Sequence, residues 1–393
     1  MKRRVVLKYM LPLAVGAVGL LTIDESVIRR IWYRLEGMFQ RSPKLSSNPI
    51  RSDAVLSERG KSVSVEMALN SRCNSDDDNN TIKFHWGMFD TNKKLSARQI
   101  KGIIESARIP RFTDRRVEIR DDSNVLSFIS DNRCSGLLRD WVMVENGMQQ
   151  QAVALVCAAL GVGMVFRGYE KDGTVLSEDD LLTVKARLDP MKPSYEGSLW
   201  SETKPSGAKD WVSGNLPDPE RNGGRPLVAS LSEVETGNKK GMKATGKSLS
   251  QLLWAARGRS PHYYKSRPWG MTIPTWKGEQ GSCSVYFNCG GEVLKYLNWE
   301  GNRPTHALRS VSEQGTPFPL FEDKMISADG CSIVLARNEN TGKALWEVGY
   351  QLINLLVQAH SLGISYESSL VDTEQKERME GVGIMSPVAT VKI

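Results

Sequence analysis

Cysteine and histidine are scarce in this 393-residue chain, and their placement argues against a metal centre. The six cysteines (Cys73, Cys134, Cys157, Cys283, Cys289 and Cys331) form no C-x-x-C or other zinc spacing. The four histidines (His85, His262, His306 and His360) form no H-x-x-x-H pair, so no metal site is expected. The thiols read as buried or incidental, with Cys157 inside an apolar helix; a Cys283–Cys289 disulfide stays open for an exported domain. Aromatic residues make up only 7% and do not alternate with basic ones, and no nucleic-acid motif occurs, so no nucleic-acid partner is expected. The net charge of +7 is spread rather than blocked, which reads as a soluble surface, with phosphate-ligand binding as the other reading. Ala152 to Leu160 is apolar on all sides but too short to cross a membrane, and reads as a buried helix. A chain of this length, 40% apolar and 25% charged, has room for two globular domains.

What is present begins at the N-terminus. Lys2, Arg3, Arg4 and Lys8 precede the apolar run Tyr9 to Ile23, which Asp24 and Glu25 stop. This is the layout of a charged region and an apolar region of a signal, and Arg3-Arg4-Val5-Val6-Leu7-Lys8 is similar to the twin-arginine export signal R-R-x-φ-L-K. No clean cleavage site follows, and the run is short for a span that needs about 20 residues. Arg29, Arg30 and Arg34 then interleave with Ile28, Ile31, Trp32 and Leu35 as a basic amphipathic stretch. Residues 1–38 are therefore expected to target the membrane, with cleavage and anchoring both open and a membrane-associated or periplasmic location.

The rest of the chain says one thing twice, about two hundred residues apart. Glu145-Asn146-Gly147-Met148-Gln149 opens an apolar run closing on Leu160-Gly161-Val162-Gly163, and Glu347-Val348-Gly349-Tyr350-Gln351 opens one closing on Leu362-Gly363-Ile364-Ser365. Each is preceded by a second echo, Ile104-Glu105-Ser106-Ala107-Arg108 and Leu253-Trp254-Ala255-Ala256-Arg257. Polar stretches divide the chain into a linker over 39–80, a first half over 81–202, a second linker over 203–224 and a second half over 225–393. Ser96 caps a helix that Pro110 stops, and Arg116 to Ile119 alternates like a strand. In the second half Ser248 starts a helix that Pro261 ends, and Ser284 to Phe287 and Val293 to Leu297 are strand candidates in a longer interval. The irregular mixture of strands and helices predicts an α+β fold. Glu145 and Glu347 are expected to cap helix entries.

The second half resembles the nitroreductase-like flavoprotein superfamily, and within it the azoline dehydrogenases of thiazole/oxazole-modified peptide biosynthesis. The residues that carry this are Ser248-Leu249-Ser250-Gln251-Leu252-Leu253-Trp254-Ala255-Ala256-Arg257-Gly258, then Thr272-Ile273-Pro274-Thr275 and Glu292-Val293-Leu294-Lys295-Tyr296. Phe89-Asp90, Leu95-Ser96, Gln99-Ile100 and Ile103 to Pro110 are similar to a plainer opening of the same superfamily. The resemblance implies an FMN-binding nitroreductase fold, duplicated in one chain as a pseudo-dimer with flavin between the halves. Further homodimerisation stays open.

FMN carries a dianionic phosphate, which needs cations or helix N-termini. Where the family places R-R-S-x-R, this chain has Lys239, Lys240 and Lys243, with Lys392 at its end; lysine keeps the charge without the bidentate fork of arginine. A solvated basic loop is the other reading of these lysines. The first half keeps one cation in Lys83-Phe84-His85-Trp86-Gly87. It retains Gly168 in the loop expected near flavin N5, where the second half has Tyr366-Glu367-Ser368. Pro274-Thr275, and Pro110-Arg111 in the first half, stand where the family's P-S loop reaches across to the other flavin. Tyr263, Tyr264 and Trp269 are read as core residues or as a substrate pocket. The resemblance implies hydride transfer through flavin N5 to or from a small-molecule or peptide substrate, with NAD(P)H as the donor in one version. A flavin-storing or flavin-free scaffold is the alternative. No catalytic acid or base is named.

Overall fold

The computed structural model describes residues 62–70, 74–75, 89–90, 92–114, 117–130, 135–166, 183–190, 192, 214–261, 269–275, 281–301, 303–311 and 331–393. The described helices, in chain order, are α1 (Val65–Asn70), α2 (Ala97–Ser106), α3 (Gly136–Leu160), α4 (Leu227–Glu233), α5 (Gly246–Arg257), α6 (Gly342–Leu362) and α7 (Thr373–Gly381). Each apolar run of the repeat lies in a longer helix, α3 or α6, buried around nearly its whole circumference from the glutamate onward. Both end on a left-handed glycine, Gly161 with φ 71° and Gly363 with φ 67°, a cap that a side chain would strain. The repeated L-G is thus a helix stop.

The two helices cross at the other repeated glycine. A Cβ on Gly147 would collide with the carbonyl of Trp346, and one on Gly349 with the carbonyl of Val144. The numbering offset between Glu145 and Glu347 also separates Gly147 from Gly349 and Val144 from Trp346, so the two approaches correspond. Backbones this close require residues without side chains. Tyr350 adds a hydroxyl bond to Gln150 Oε1 across the crossing, and residues from both sides join one continuous apolar core.

A five-stranded sheet holds β1 (Asn74–Ser75), β2 (Glu118–Asp122), β3 (Val125–Ile129), β4 (Val162–Phe166) and β5 (Thr183–Pro190), in the order β1-β4-β5-β3-β2. Strands β7 (Arg259–Pro261) and β8 (Trp269–Met271) pair separately. A seven-stranded sheet holds β6 (Gly237–Asn238), β9 (Cys283–Cys289), β10 (Glu292–Glu300), β11 (Arg303–Ser310), β12 (Ser332–Arg337), β13 (Tyr366–Leu370) and β14 (Pro387–Lys392). From β6 its order is β6-β13-β14-β12-β9-β10-β11. The first five positions follow the other sheet strand for strand. The pairs β4–β5, β5–β3 and β3–β2 are antiparallel, as are β13–β14, β14–β12 and β12–β9. The match ends at the short outer strands, where β1 is parallel to β4 but β6 is antiparallel to β13. In the smaller sheet Ser123-Asn124, both at positive φ, turn β2 directly into β3. In the larger one the hairpin β10–β11 intervenes between β9 and β12 and pairs on the outer side of β9. That hairpin accounts for part of the longer second interval.

Several expectations need correction. The stretch read as a linker over 39–80 contains α1, whose Val65, Ala68 and Leu69 are fully buried at one-face spacing inside a serine-rich context. The end of the 203–224 linker is pinned: Leu216 is buried, Ser250 Oγ donates to Pro217 O, and Gln251 Oε1 accepts from the Glu220 N–H. The helix expected from Ser248 starts at Gly246, because Thr245 and Ser248 form a capping box. It ends at Arg257, well before Pro261, and α2 ends at Ser106, before Pro110. The disulfide joins Cys289 to Cys331, not to Cys283, because antiparallel pairing sets the end of β9 beside the start of β12. Cys283 and Cys157 are buried and take no part in the disulfide. The N-terminal signal and amphipathic stretch lie outside the described residues, among which no helix is long and apolar enough to cross a membrane.

Candidate functional site

The repeated glutamates do not cap helix entries. Each sits inside its helix, buried, and accepts N–H groups from the chain that follows the preceding helix. Glu145 accepts from the backbone N–H groups of Phe112 and Thr113, the latter at 2.7 Å, and from the Thr113 hydroxyl at 2.6 Å. Burial pushes its carboxyl above the usual range while these donors pull it back. Glu347 accepts from the Ser282 N–H at 2.7 Å and the Cys283 thiol at 3.3 Å. Its neighbour Arg257, 3.9 Å away and 7% exposed, donates to Cys283 O at 2.6 Å. Gln351 donates to Cys283 Sγ at 3.0 Å, and burial together with the Glu347 charge holds that thiol protonated. With its thiol held protonated, the cluster offers no thiolate nucleophile.

Lys239, Lys240, Lys243 and Lys392 are all exposed. Lys392 of β14 pairs with Ser332 of β12 and Glu367 of β13, and Glu367 pairs with Gly237 of β6. The turn that leaves β6 therefore starts at the sheet end where Lys392 lies. Among the described residues none of the four lysines forms an ion pair within 4.0 Å. Their backbone is less available, because the Lys240 N–H is bound by Asn238 Oδ1 and the Met242 N–H by Gly363 O. Unpaired ammonium groups at one end of a sheet fit a phosphate by charge, without a backbone cradle.

Pro274 and Thr275 are buried. Their loop is fixed where the two long helices meet: Thr272 O accepts from Gln151 Nε2 at 3.0 Å and from Asn354 Nδ2 at 3.2 Å. From Asn354 to Gly363 along α6 is roughly 14 Å, so the loop and the lysines are separated rather than clustered. Gly168, Lys83, His85, Tyr263 and Tyr264 lie outside the described residues.

Three arrangements escaped the sequence reading. Buried His306 lies between Ser250 Oγ at 2.7 Å and Tyr296 OH at 2.8 Å. The Ser250 hydroxyl donates to Pro217 O, so it accepts from the ring, and the ring's other nitrogen accepts from Tyr296. Burial lowers the histidine pKa to about 3, so the ring is neutral and the serine is not activated. Glu66, 2% exposed, accepts from Gln358 Nε2 at 2.6 Å, and burial raises its pKa to about 7. Finally, a cleft of about 450 Å³ opens where α3 and α6 begin, with Arg139 and Arg337 on its walls. No sequence motif marked it, because its two sides come from segments about two hundred residues apart.

No family model and no curated protein matches the chain. Among solved structures, a candidate nitroreductase from Ralstonia eutropha JMP134 is similar to 45% of this chain and 86% of its own, at 17% identity and a TM-score of 0.30. A likeness that loose carries no argument about this chain, whose mixed α+β architecture rests on its own sheets and helices.

Proposed function

We propose that the chain is an FMN-dependent oxidoreductase of the nitroreductase type, built as a pseudo-dimer from two related halves and acting at a membrane or in the periplasm. The observation that carries the reading is the matched strand order of the two sheets, with α3 and α6 meeting at corresponding glycines. A fused flavoprotein dimer requires two such layers joined through a helical interface.

Lys239, Lys240, Lys243 and Lys392 would hold the phosphate through their ammonium groups, so retention should weaken with salt. The Thr272–Thr275 loop, tied to Gln151 and Asn354, would order the wall between the halves, and Gly168 would contribute from the first half. Bound FMN supplies hydride acceptance and donation at N5, chemistry for which the protein need not provide an acid or base. His306 and Cys283 are held neutral by burial and are assigned packing roles. Substrate oxidation as in azoline formation, or reduction at the expense of NAD(P)H, is the finer form of the reading.

A second reading, a scaffold of the same architecture without redox turnover, is favoured by the buried position of Pro274 and Thr275 and by lysines in place of arginine forks. Purification separates the two. Yellow protein whose flavin absorbance bleaches with NAD(P)H or dithionite supports the oxidoreductase. Colourless protein that stays apo in excess FMN refutes it, and yellow protein that no donor reduces indicates a flavin store.

A further inference from the structure

We infer that the cleft between the first turns of α3 and α6 binds a small organic carboxylate with an apolar body. Its volume, about 450 Å³, falls within the range of small-molecule sites. Met143 from α3 and Leu345 from α6 both line it, and they are separated by the same offset as Glu145 and Glu347. Both are buried, while Leu137 at the rim is 39% exposed, a large apolar surface left to solvent beside the opening. Apolar contact is therefore available to a ligand body from both helices.

The charge on the walls selects the other end of the ligand. Among the described residues the charged lining is Arg139, Arg337 and one acid, Asp140. Arg337 Nη1 donates to Asp140 Oδ2 at 3.1 Å, with side-chain exposures of 16% and 29%. That pair fixes the guanidinium across the gap between α3 and the end of β12, and a guanidinium has five N–H donors. Those beyond the single bond to Asp140 can take a carboxylate in the planar two-bond geometry that arginine favours over lysine. A cation would meet the two arginines, and a neutral amide would forgo the charge-assisted bonds.

The cleft is distinct from the phosphate lysines. Lys392 pairs with Ser332 at the start of β12, whereas Arg337 is the last residue of that strand, roughly 16 Å away at the rise of an extended chain. The inference therefore does not rest on flavin binding.

The test is calorimetric titration of the full-length protein with cinnamate and with cinnamamide, an uncharged analogue of the same shape. Cinnamate should bind at least tenfold more tightly. Arg139→Met and Arg337→Met should each weaken cinnamate about tenfold and leave cinnamamide unmoved, while Leu345→Trp, which fills the cleft, should abolish both. Equal affinity for acid and amide would overturn the inference, as would absent binding at millimolar cinnamate or an unchanged titration in the double arginine variant. Arg337→Met removes the Asp140 pair, so unfolding curves accompany each variant, and Arg139→Met alone still decides if that protein is unstable. FMN content measured in the same samples keeps the outcome separate from the flavin reading.

Discussion

Glu145 and Glu347 occupy equivalent places in the repeat and perform the same anchoring by different means. Each gathers N–H groups from the segment that leads toward its sheet. Glu145 does so with two backbone donors and the Thr113 hydroxyl, and its surroundings retain partial contact with solvent. Glu347 faces a sealed set of Arg257, Cys283 and Gln351, in which an arginine is buried with it. At one copy of the motif the carboxylate is therefore anchored by neutral hydrogen-bond donors, with the Arg111 charge nearby, and at the other it is half of a buried ion pair. A repeated motif can preserve a structural task while the electrostatics around it diverge.

The sharpest way to break this comparison is to remove the carboxylates one at a time. Glu347→Ala leaves the buried Arg257 charge without its carboxylate, and breaking a buried pair costs about 4 kcal/mol. Glu145→Ala leaves N–H and hydroxyl donors unmet and the exposed Arg111 to solvent, near a site that water can reach, for about 2 kcal/mol. Urea unfolding of both variants measures the difference. Equal losses would mean that Arg257 adds nothing to the second anchor.

The glycines test the opposite expectation, that the halves are alike. Gly147 and Gly349 each lie against a carbonyl of the facing helix, which cannot move aside as a side chain could. Gly147→Ala and Gly349→Ala should each cost about 3 kcal/mol through forced separation of the helices. Unfolding free energies that differ by more than about 1 kcal/mol between the two would show that the crossing is unequal.

Much of this was legible from the sequence, and the misses have physical causes. The spacing of E-x-G-x-Q and L-G located both central helices, and the short apolar run Val293 to Leu297 located β10, because period and turn chemistry act within a few residues. Roles that depend on partners far along the chain were not legible. Glu145 resembled a helix cap because nothing local reveals that Phe112 and Thr113 fold back onto it. Helix α1 was hidden because its burial comes from α3, α6 and α4, while its flanks are polar. His306 sits in a strand with buried neighbours on both sides, and its partners Ser250 and Tyr296 come from different elements. The lysines were visible as charge, but their position at the end of a sheet follows only from the register of β6, β13 and β14.

Helix α1 supplies a pH-dependent contrast with the charged anchors. Glu66 is raised from 4.5 to about 7, first by burial, with nearby Glu220 adding to the shift and the Gln358 amide opposing it. Its folded pKa exceeds the unfolded value, so its favourable contribution is full below about pH 4.5 and is lost as pH rises through about 7. The whole swing is worth about 3 kcal/mol. Glu66→Gln should remove that slope and leave the protein about 2 kcal/mol more stable than the parent at pH 8, with little change at pH 4.5. Unfolding measured at both pH values checks it, and parallel pH profiles for parent and variant would exclude Glu66 as the source.

The lysines give the smallest effect on the fold and the clearest separation of fold from function. An exposed lysine without an ion pair contributes little to stability, so Lys240→Ala should change the unfolding free energy by less than about 0.5 kcal/mol. The helix nearest its turn ends there, and cations are mildly favourable at that negative end, which bounds the structural role from above. If the same substitution releases FMN from otherwise stable protein, the charge serves a ligand rather than the fold. Retained FMN with unchanged stability would assign these lysines to the solvated surface and move the phosphate elsewhere. Repeating the measurement with Lys392→Ala tests whether the common sheet end matters, because both substitutions should then lower FMN affinity, and more steeply at low salt.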